Sequence, residues 1–304
     1  MNLGQSIIDK LIVNQPLTSF EFFPAKTEEG ARQIIKTAQA IKETNPDFVS
    51  ITYGAGGTTR QRTLEYGELL HELFDFEVMP HLTCIGHSRD EIREILTRIR
   101  RRGFRNIMAL RGDPPQNEPN YRPHPNGFRY ASELIAFIRE EFPYFCLGVA
   151  GYPEKHPEAP SMDEDLAHLR NKVDQGASFI TTQLFYNNED YFNFETSCRD
   201  LGITCPIIPG ILPVLSLEQL KRFCGFCGAK IPPALEKLLI SAQGDITAEE
   251  EIGIEWAYAQ VHELLKRGVP GVHFYILNRS HSVVELMSRL ERDQLLQKRA
   301  LQHC

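Results

Sequence analysis

Residues 78–113 read VMPHLTCIGHSRDEIREILTRIRRRGFRNIMALRGD, and the change of rhythm inside this stretch decides the fold. Val78 to Thr83 is a short apolar run of strand character, and Asn106 to Leu110 is a second one. Between them, Asp90 to Arg102 carries apolar residues at helical spacing. Ser88 and Glu91 stand at the spacing of a capping box, where each side chain satisfies the other's backbone N–H at a helix start. Gly103 sits where that helix must close, and glycine accepts the left-handed conformation that closes it. Two strands joined through a helix run parallel, because a parallel connection needs a crossover. Both strands end on polar groups: His81 and Thr83 in the first, Arg111, Gly112 and Asp113 after the second.

The same alternation extends in both directions. Further strand-like runs lie at Leu17 to Phe23, Phe48 to Tyr53, Phe145 to Ala150, Phe179 to Phe185, Ile207 to Leu212 and Val272 to Leu277. Helical periodicity marks Ala31 to Ile41, Ser132 to Glu141, Asp163 to Val173 and Glu249 to Lys266. Gly176, Gly202 and Gly268 repeat the closing role of Gly103, and Ser216 with Gln219 and Thr247 with Glu250 repeat the capping-box spacing. Eight strand–helix units favour a closed (β/α)8 barrel, a TIM barrel, over the alternative of an open doubly wound sheet. Met1 to Asn14 adds a short amphipathic helix with Ile7, Ile8, Leu11 and Ile12 on one face. Residues 112–130 form a long Pro- and Asn-rich connection suited to an active-site rim, and residues 213–270 carry extra helices between strands seven and eight. The expectation is one catalytic barrel domain over residues 1–304, with its core at about 17–290.

Bulk properties narrow the function. A net charge of −7 without a long basic stretch argues against a nucleic-acid partner. No run approaches the ~18 apolar residues of a membrane span, and the N-terminus lacks a signal-peptide core. Seven scattered cysteines suit a reducing, cytoplasmic setting better than a disulfide framework. Cys224 and Cys227 have CxxC spacing, but a structural zinc needs four ligands and no second pair exists, so two helix thiols are favoured and no metal is expected.

A barrel collects its chemistry at the C-terminal ends of its strands. Those ends carry Glu21; Thr52 and Tyr53, followed by the loop Gly54-Ala-Gly-Gly57; His81 and Thr83; Arg111, Gly112 and Asp113; Tyr152 and His156; Gln183; and Asn278 with Arg279. Seven of eight ends being polar argues for a site. Glu21, flanked in sequence by Phe20, Phe22 and Phe23, reads as a poorly solvated carboxyl suited to general-acid work; its bland alternative is an ion pair with Arg279. Arg111 either binds a phosphate or neutralises Asp113. The GAGG loop matches neither GxGxxG nor the P-loop pattern, and GxSxG and HExxH are absent. A polar set without an activated nucleophile points to cofactor chemistry.

Nine motifs, in order from about Leu17 to Arg279, resemble the methylenetetrahydrofolate reductase family. They are Ser19-Phe-Glu-Phe-Phe-Pro24, Thr52-Tyr-Gly-Ala55, Pro80-His-Leu-Thr-Cys84, Leu110-Arg-Gly-Asp113, Tyr152-Pro-Glu154, His156-Pro-Glu-Ala159, Lys172-Val-Asp174, Pro209-Gly-Ile-Leu-Pro213 and Phe274-Tyr-Ile-Leu-Asn-Arg279. The length resembles the bacterial single-domain form; the eukaryotic C-terminal regulatory domain has no counterpart, so inhibition by adenosylmethionine is not expected.

The resemblance implies a cytoplasmic flavoprotein, a homo-oligomer, that uses FAD and takes NADH or NADPH as co-substrate. It would reduce 5,10-methylenetetrahydrofolate to 5-methyltetrahydrofolate, supplying methyl groups for methionine synthesis. By resemblance Glu21 is the acid that protonates the substrate amine as its five-membered ring opens, and Asp113 lies between flavin and pterin. Thr52, His81, Arg111, Gly112, Asp113, Tyr130, Ala131, Ala150, Tyr152, His156, Asp165 and Lys172 match FAD-binding positions. Glu21, Asp113, Gln183, Gln219, Phe223 and Arg279 match the substrate side, although Gln219 also fits the capping box with Ser216. His168 and Asn171 depart from the family pattern, which often has Asn and a basic residue there, and the 113–130 loop is longer than in some relatives. The rival readings are a non-redox folate-binding or corrinoid-linked methyl-transfer barrel, and a reductase that moves hydride from NADH to folate without flavin.

Overall fold

A computed structural model describes residues 4–12, 16–53, 60–113 and 122–296, the side chains of residues 60 and 61 apart. Eight strands close into a parallel barrel in chain order: β1 (Leu17–Phe22), β2 (Phe48–Ile51), β3 (Val78–Thr83), β4 (Asn106–Leu110), β5 (Cys146–Gly151), β6 (Phe179–Leu184), β7 (Ile207–Ile211) and β8 (Gly271–Tyr275). Closure of β8 on β1, with Ser19 opposite His273 and Glu21 opposite Tyr275, replaces the open-sheet alternative. The strands lie where the apolar runs place them, with ends moved by one or two residues.

The helices are α1 (Ile7–Leu11), α2 (Glu28–Lys42), α3 (Arg60–Phe74), α4 (Arg89–Arg101), α5 (Ala131–Glu141), α6 (Met162–Asp174), α7 (Asn188–Asp200), α8 (Leu217–Cys227), α9 (Pro233–Ser241), α10 (Ile246–Lys266) and α11 (His281–Arg292). The long connection before β8 thus carries three of them. Ser88 and Glu91 form the full reciprocal capping box at the start of α4. Gly103, Gly176, Gly202 and Gly268 all have the positive φ expected after a helix. Thr247 and Glu250 do not form the expected box. Asp245 caps α10 instead, accepting from the Ala248 N–H, and the Glu250 carboxylate is drawn to His281 (2.9 Å) and Ser282 (2.6 Å).

Side chains alternate across each strand, so the barrel wall has two chemically different faces. Phe20, Phe22, Val49, Ile51, Val78, Leu82, Ile107, Leu147 and Val149 belong to the main core together with the inner faces of the helices. Inside the barrel, Leu17, Phe48, Met79, Met108, Cys146, Phe179 and Ile208 form an apolar plug at the N-terminal end, joined by Ile7 of α1. Asn106 holds α1 there: its Oδ1 accepts from the Ile7 N–H (2.9 Å) and its Nδ2 donates to the Gln5 carbonyl (2.9 Å) and to Glu77 (2.8 Å). The expected four-residue apolar face of α1 is not realised in full, since Ile12 is 73% exposed just past the helix end. Above the plug the interior residues turn polar: Ser19, Glu21, Ser50, His81, Thr83, Thr181 and His273 are all buried.

The described end of the 112–130 loop is tied down. Ser88 bridges Gly127, the Asn126 carbonyl accepts from the Arg89 N–H (2.8 Å), and Phe128 packs on Phe137 under the Arg89 guanidinium. Residues 114–121 of that loop, and the Gly54–Gly57 turn, lie outside the described residues.

Candidate active site

The polar half of the barrel interior centres on Glu21. Its Oε2 lies 3.3 Å from His81 Nε2 and 3.8 Å from His273 Nε2, and the three residues are 7%, 9% and 1% exposed. Period-two alternation puts Glu21 here. Phe20 and Phe22 sit on the opposite face of β1, in the helix layer, so the carboxyl is surrounded by imidazoles and not by the phenylalanines beside it in sequence. The proposed pairing with Arg279 is not formed. Arg279 is exposed beyond β8, past a turn where Leu277 and Asn278 have positive φ. Asn278, expected as a polar strand end, ties the two barrel edges together: its amide exchanges two 2.9 Å hydrogen bonds with the backbone of Phe23.

Burial lowers the His81 pKa, and the neighbouring His273 lowers it further; Glu21 opposes both. The ring is therefore held toward its neutral form, and its buried Nε2 has no hydrogen-bond partner among the described residues. Thr83 Oγ1, Ser50 Oγ and Thr181 Oγ1 are buried without a partner as well. Buried polar atoms are ordinarily satisfied, so four such atoms on one interior face point to a ligand or ordered water. Next to them the Tyr275 hydroxyl donates to the Thr182 carbonyl at 2.7 Å. Gly210 makes room for that ring, since a Cβ there would meet Tyr275 Cε2 at 2.7 Å. Burial, with Glu21 and Tyr152 adding to it, pushes the Tyr275 phenol far up, so it stays protonated.

A second cluster joins the ends of β4 and β5 to side chains of α6. Gly112 has φ +86°, and a Cβ on it would meet Ile85 Cγ2 at 2.6 Å and Thr83 Cβ at 2.8 Å. Both the left-handed backbone and the close packing against Ile85 and Thr83 require glycine there. Arg111 pairs with Glu158 at 2.6 Å and reaches the Gly112 carbonyl at 3.2 Å. The protein partner of this guanidinium is therefore not Asp113, which the sequence offers as the alternative to a phosphate, but Glu158, forty-seven positions on in the His156-Pro-Glu motif. Asp113 is exposed, and its charge still bears on Arg111 and Tyr152. Tyr152 meets His156 edge-on at 4.6 Å, and the His156 N–H donates to Asp165 at 2.8 Å. Burial, then Asp113 and Asp165, raise the Tyr152 pKa to about 12. Lys172 Nζ donates to the Ala150 carbonyl at 2.6 Å; burial pulls its pKa down to about 8, against the pull of Asp165.

The remaining residues sit around these two clusters. Thr52 follows β2, its N–H bonded to the Phe22 carbonyl and its own carbonyl to Thr63. Tyr130 caps α5 through its carbonyl and is 56% exposed, with Ala131 the first residue of that helix. Gln183 Oε1 accepts from the Leu184 N–H. Gln219 is engaged locally: its N–H donates to Ser216 Oγ (3.1 Å) and its Oε1 accepts from the Leu215 N–H (2.8 Å). Phe223 is half-buried on α8, edge-on to Phe226. His168 and Asn171 both lie exposed on α6. Cys224 and Cys227 are successive-turn thiols of α8, both pushed up by burial, Cys224 to about 12. No group of three or more His, Cys, Asp or Glu able to hold a metal occurs among the described residues. Nor, among them, is any helix long and apolar enough to cross a membrane. His273, Ser19 and Tyr275 escaped the sequence reading. Their signal was the alternation itself, which puts Ser19 with Glu21 and His273 with Tyr275 on the interior faces of β1 and β8.

Comparison with known proteins adds the family. The family model described as methylenetetrahydrofolate reductase matches residues 6–291. The chain is 37% identical over 280 residues to 5,10-methylenetetrahydrofolate reductase of Escherichia coli (strain K12), covering 91% of each. It is 37% identical over 298 residues to methylenetetrahydrofolate reductase (NADH) 1 of Arabidopsis thaliana, covering 93% of this chain and 50% of that protein. The chain thus spans about half the length of the plant relatives it matches. Among solved structures, an uncharacterized protein from Clostridium thermocellum that binds two copies of 5-methyl-5,6,7,8-tetrahydrofolic acid superposes with a TM-score of 0.66 at 16% identity, over 94% of this chain and 99% of that one. At that identity the likeness bears on the fold.

Proposed function

The chain belongs to the methylenetetrahydrofolate reductase family, and we propose that it is a cytoplasmic FAD-dependent enzyme that reduces 5,10-methylenetetrahydrofolate to 5-methyltetrahydrofolate with NADH or NADPH. The observation that carries this reading is the division of the barrel mouth into two unlike halves. One half is a buried carboxyl between two imidazoles, suited to proton delivery. The other joins the Gly112 turn to two cations, Arg111 and Lys172, suited to an anionic dinucleotide.

The donor set fits FAD. A diphosphate needs cations and exposed N–H groups, which Arg111, Lys172 and the Gly112 turn provide. An isoalloxazine edge needs buried hydrogen-bonding atoms, and His81 Nε2 and Thr83 Oγ1 are buried and unpartnered. Thr52, His81, Arg111, Gly112, Tyr130, Ala131, Ala150, Tyr152, His156, Asp165 and Lys172 would hold the cofactor. When bound, FAD supplies the hydride chemistry that no side chain here can perform.

The chain's own residues do the rest. Asp113, Gln183, Phe223 and Arg279 bind the folate, and Gln219 shares in this only by giving up its bond to Leu215. Glu21 carries the proton to the amine nitrogen as the substrate ring opens. Enclosure within the barrel keeps bulk water from competing for that proton.

The visible spectrum of the purified chain tests the reading. Flavin bands that bleach with NADH and return on addition of methylenetetrahydrofolate are expected. A colourless protein that cannot be reconstituted with FAD overturns it.

Lys172 gives a pH test of the cofactor half. A depressed ammonium pKa means that free protein loses this charge as pH rises through about 8, whereas a bound diphosphate restores the charged form. FAD binding then requires proton uptake above that pH. Affinity should be flat from pH 6.5 to 7.5 and fall by up to about tenfold per unit above 8. In Lys172→Met the affinity should be weaker and the fall absent. Fluorescence titration of FAD reads both, and a wild-type affinity unchanged up to pH 9.5 removes Lys172 from the diphosphate site.

A further inference from the structure

Behind Glu21 stands a residue for which the reading above has no use. His273 is inside the barrel, with its Nε2 3.8 Å from Glu21 Oε2 and its Nδ1 2.8 Å from Ser19 Oγ. Phe48 stacks over the ring at 6.1 Å and Tyr275 meets it edge-on at 5.1 Å, so its orientation is fixed from both sides. The titratable groups around it are Glu21 on β1, His81 on β3 and Tyr275 on its own strand. From β7 its register neighbour is Gly210, which brings no charge. Tyr275 remains protonated and bonded to the Thr182 carbonyl, which leaves Glu21 and the two imidazoles to share whatever proton the interior holds.

We propose that His273, held by Ser19, is a positioning residue for Glu21, exchanging tautomers so that the carboxyl has a hydrogen-bond partner whether or not it carries its proton. This rests on the reading of Glu21 as the acid. The chemistry follows from what each atom can do. Neutral imidazole has one N–H and one lone pair, and a serine hydroxyl can donate or accept. With Glu21 ionised, Nε2–H donates to Oε2 and the Ser19 hydroxyl donates to Nδ1. With Glu21 protonated, the carboxyl O–H donates to the Nε2 lone pair and Nδ1–H donates to Ser19 Oγ. Passing from the first state to the second takes one proton from solvent. The Nε2–H bond breaks as the Oε2–H bond forms, the incoming proton makes the new Nδ1–H bond, and the serine hydroxyl rotates from donor to acceptor. Neither state leaves a charged imidazolium, and neither orphans a buried polar atom, which ordinarily costs about 1–3 kcal/mol. The 3.8 Å separation is of the kind that tightens when substrate closes a site.

His81 is assigned to the cofactor in the reading above, its Nε2 being buried without a hydrogen-bond partner among the described residues. His273 has a partner in Ser19. The two residues come from opposite ends of the chain, 254 positions apart, and meet only because β8 closes on β1.

The test uses the intact chain without substrate, then with it. In 15N-labelled protein, the His273 ring nitrogens should change tautomer with pH at the same midpoint as the carboxyl 13C resonance that Glu21→Gln removes. Ser19→Ala should abolish that coupling while the protein stays folded. In turnover, His273→Asn keeps a polar group near Nδ1 but removes Nε2. The ionised carboxyl then loses its charge-assisted donor, so the alkaline limb of folate reduction should move to higher pH, and kcat should fall by about tenfold or more with KM little changed. Separate midpoints for His273 and Glu21, or a pH profile unmoved in both variants, overturns the proposal. Coupled midpoints in a chain that reduces no folate would leave this inference standing and sink the assignment of the reaction.

Discussion

Replacing Glu21 by glutamine is expected to cut folate reduction by about a thousandfold while reduction of bound flavin by NADH stays within a few-fold of wild type. General acid catalysis by a placed side chain contributes typically 10²–10⁴-fold, and a thousandfold loss corresponds to about 4 kcal/mol of barrier. The substitution is nearly isosteric, so the packing between β1 and β8 should survive it. What disappears is the transferable proton. The amide can still meet His81 and His273, whose Nε2 atoms lie within 4 Å of the carboxyl, so the cavity neither empties nor fills with an unpaired charge. Only the half of the reaction in which the substrate ring opens needs a proton at nitrogen, and the NADH half therefore serves as the internal control. Rapid-mixing measurement of each half separately, with a thermal melt to establish that the variant is folded, decides it. Equal losses in both halves would show that Glu21 supports the site's structure and does not act as its acid.

Much of the barrel could be read in the chain because each unit is locally consistent. In the 78–113 stretch the capping box, the helical spacing and the closing glycine all agree, and the structure reproduces them within a residue. Where local signals compete, the outcome is settled elsewhere. Thr247 with Glu250 and Asp245 offer two starts for one helix, and the Asp245 start prevails while Glu250 is engaged by His281 and Ser282, 31 and 32 residues away. The site was legible as a set of polar strand ends but not as an arrangement. Glu21 looked buried among phenylalanines because its sequence neighbours are phenylalanines, yet alternation sends those rings outward and gives the carboxyl to the interior. His273 sits in an apolar run and becomes significant only when β8 closes on β1. The partner of Arg111 was hidden for a related reason: Glu158 lies in the loop after β5, and only the barrel brings that loop beside the end of β4.

That Arg111–Glu158 pair sets the expectation for Asp113→Asn, which should raise the flavin potential by on the order of 30 mV and slow folate reduction by about tenfold. If Arg111 neutralised Asp113, removing the carboxylate would leave a free guanidinium charge, and the change in field would be that of breaking a pair. The geometry assigns Arg111 to Glu158 at 2.6 Å, so Asp113 keeps a net negative charge at the mouth of the barrel. That charge already bears on Tyr152, whose pKa it helps to raise. A negative charge near the flavin disfavours its reduced anionic form and makes that form a better hydride donor. For a two-electron couple, 30 mV is about 1.4 kcal/mol, or a tenfold change in the equilibrium constant. Asparagine keeps the size of aspartate and one of its two acceptor oxygens while removing the charge, so the potential measured by dye equilibration reads chiefly the charge. The same logic makes Glu158→Gln an independent check. Freeing Arg111 to turn toward Asp113 should also raise the potential, by a smaller amount, since the loop is exposed and solvent screens the change. A potential unmoved in Asp113→Asn would leave aspartate a binding role alone. A shift in Asp113→Asn with none in Glu158→Gln would mean that Arg111 stays where it is when its partner is lost, its position set by the Gly112 carbonyl and not by the ion pair.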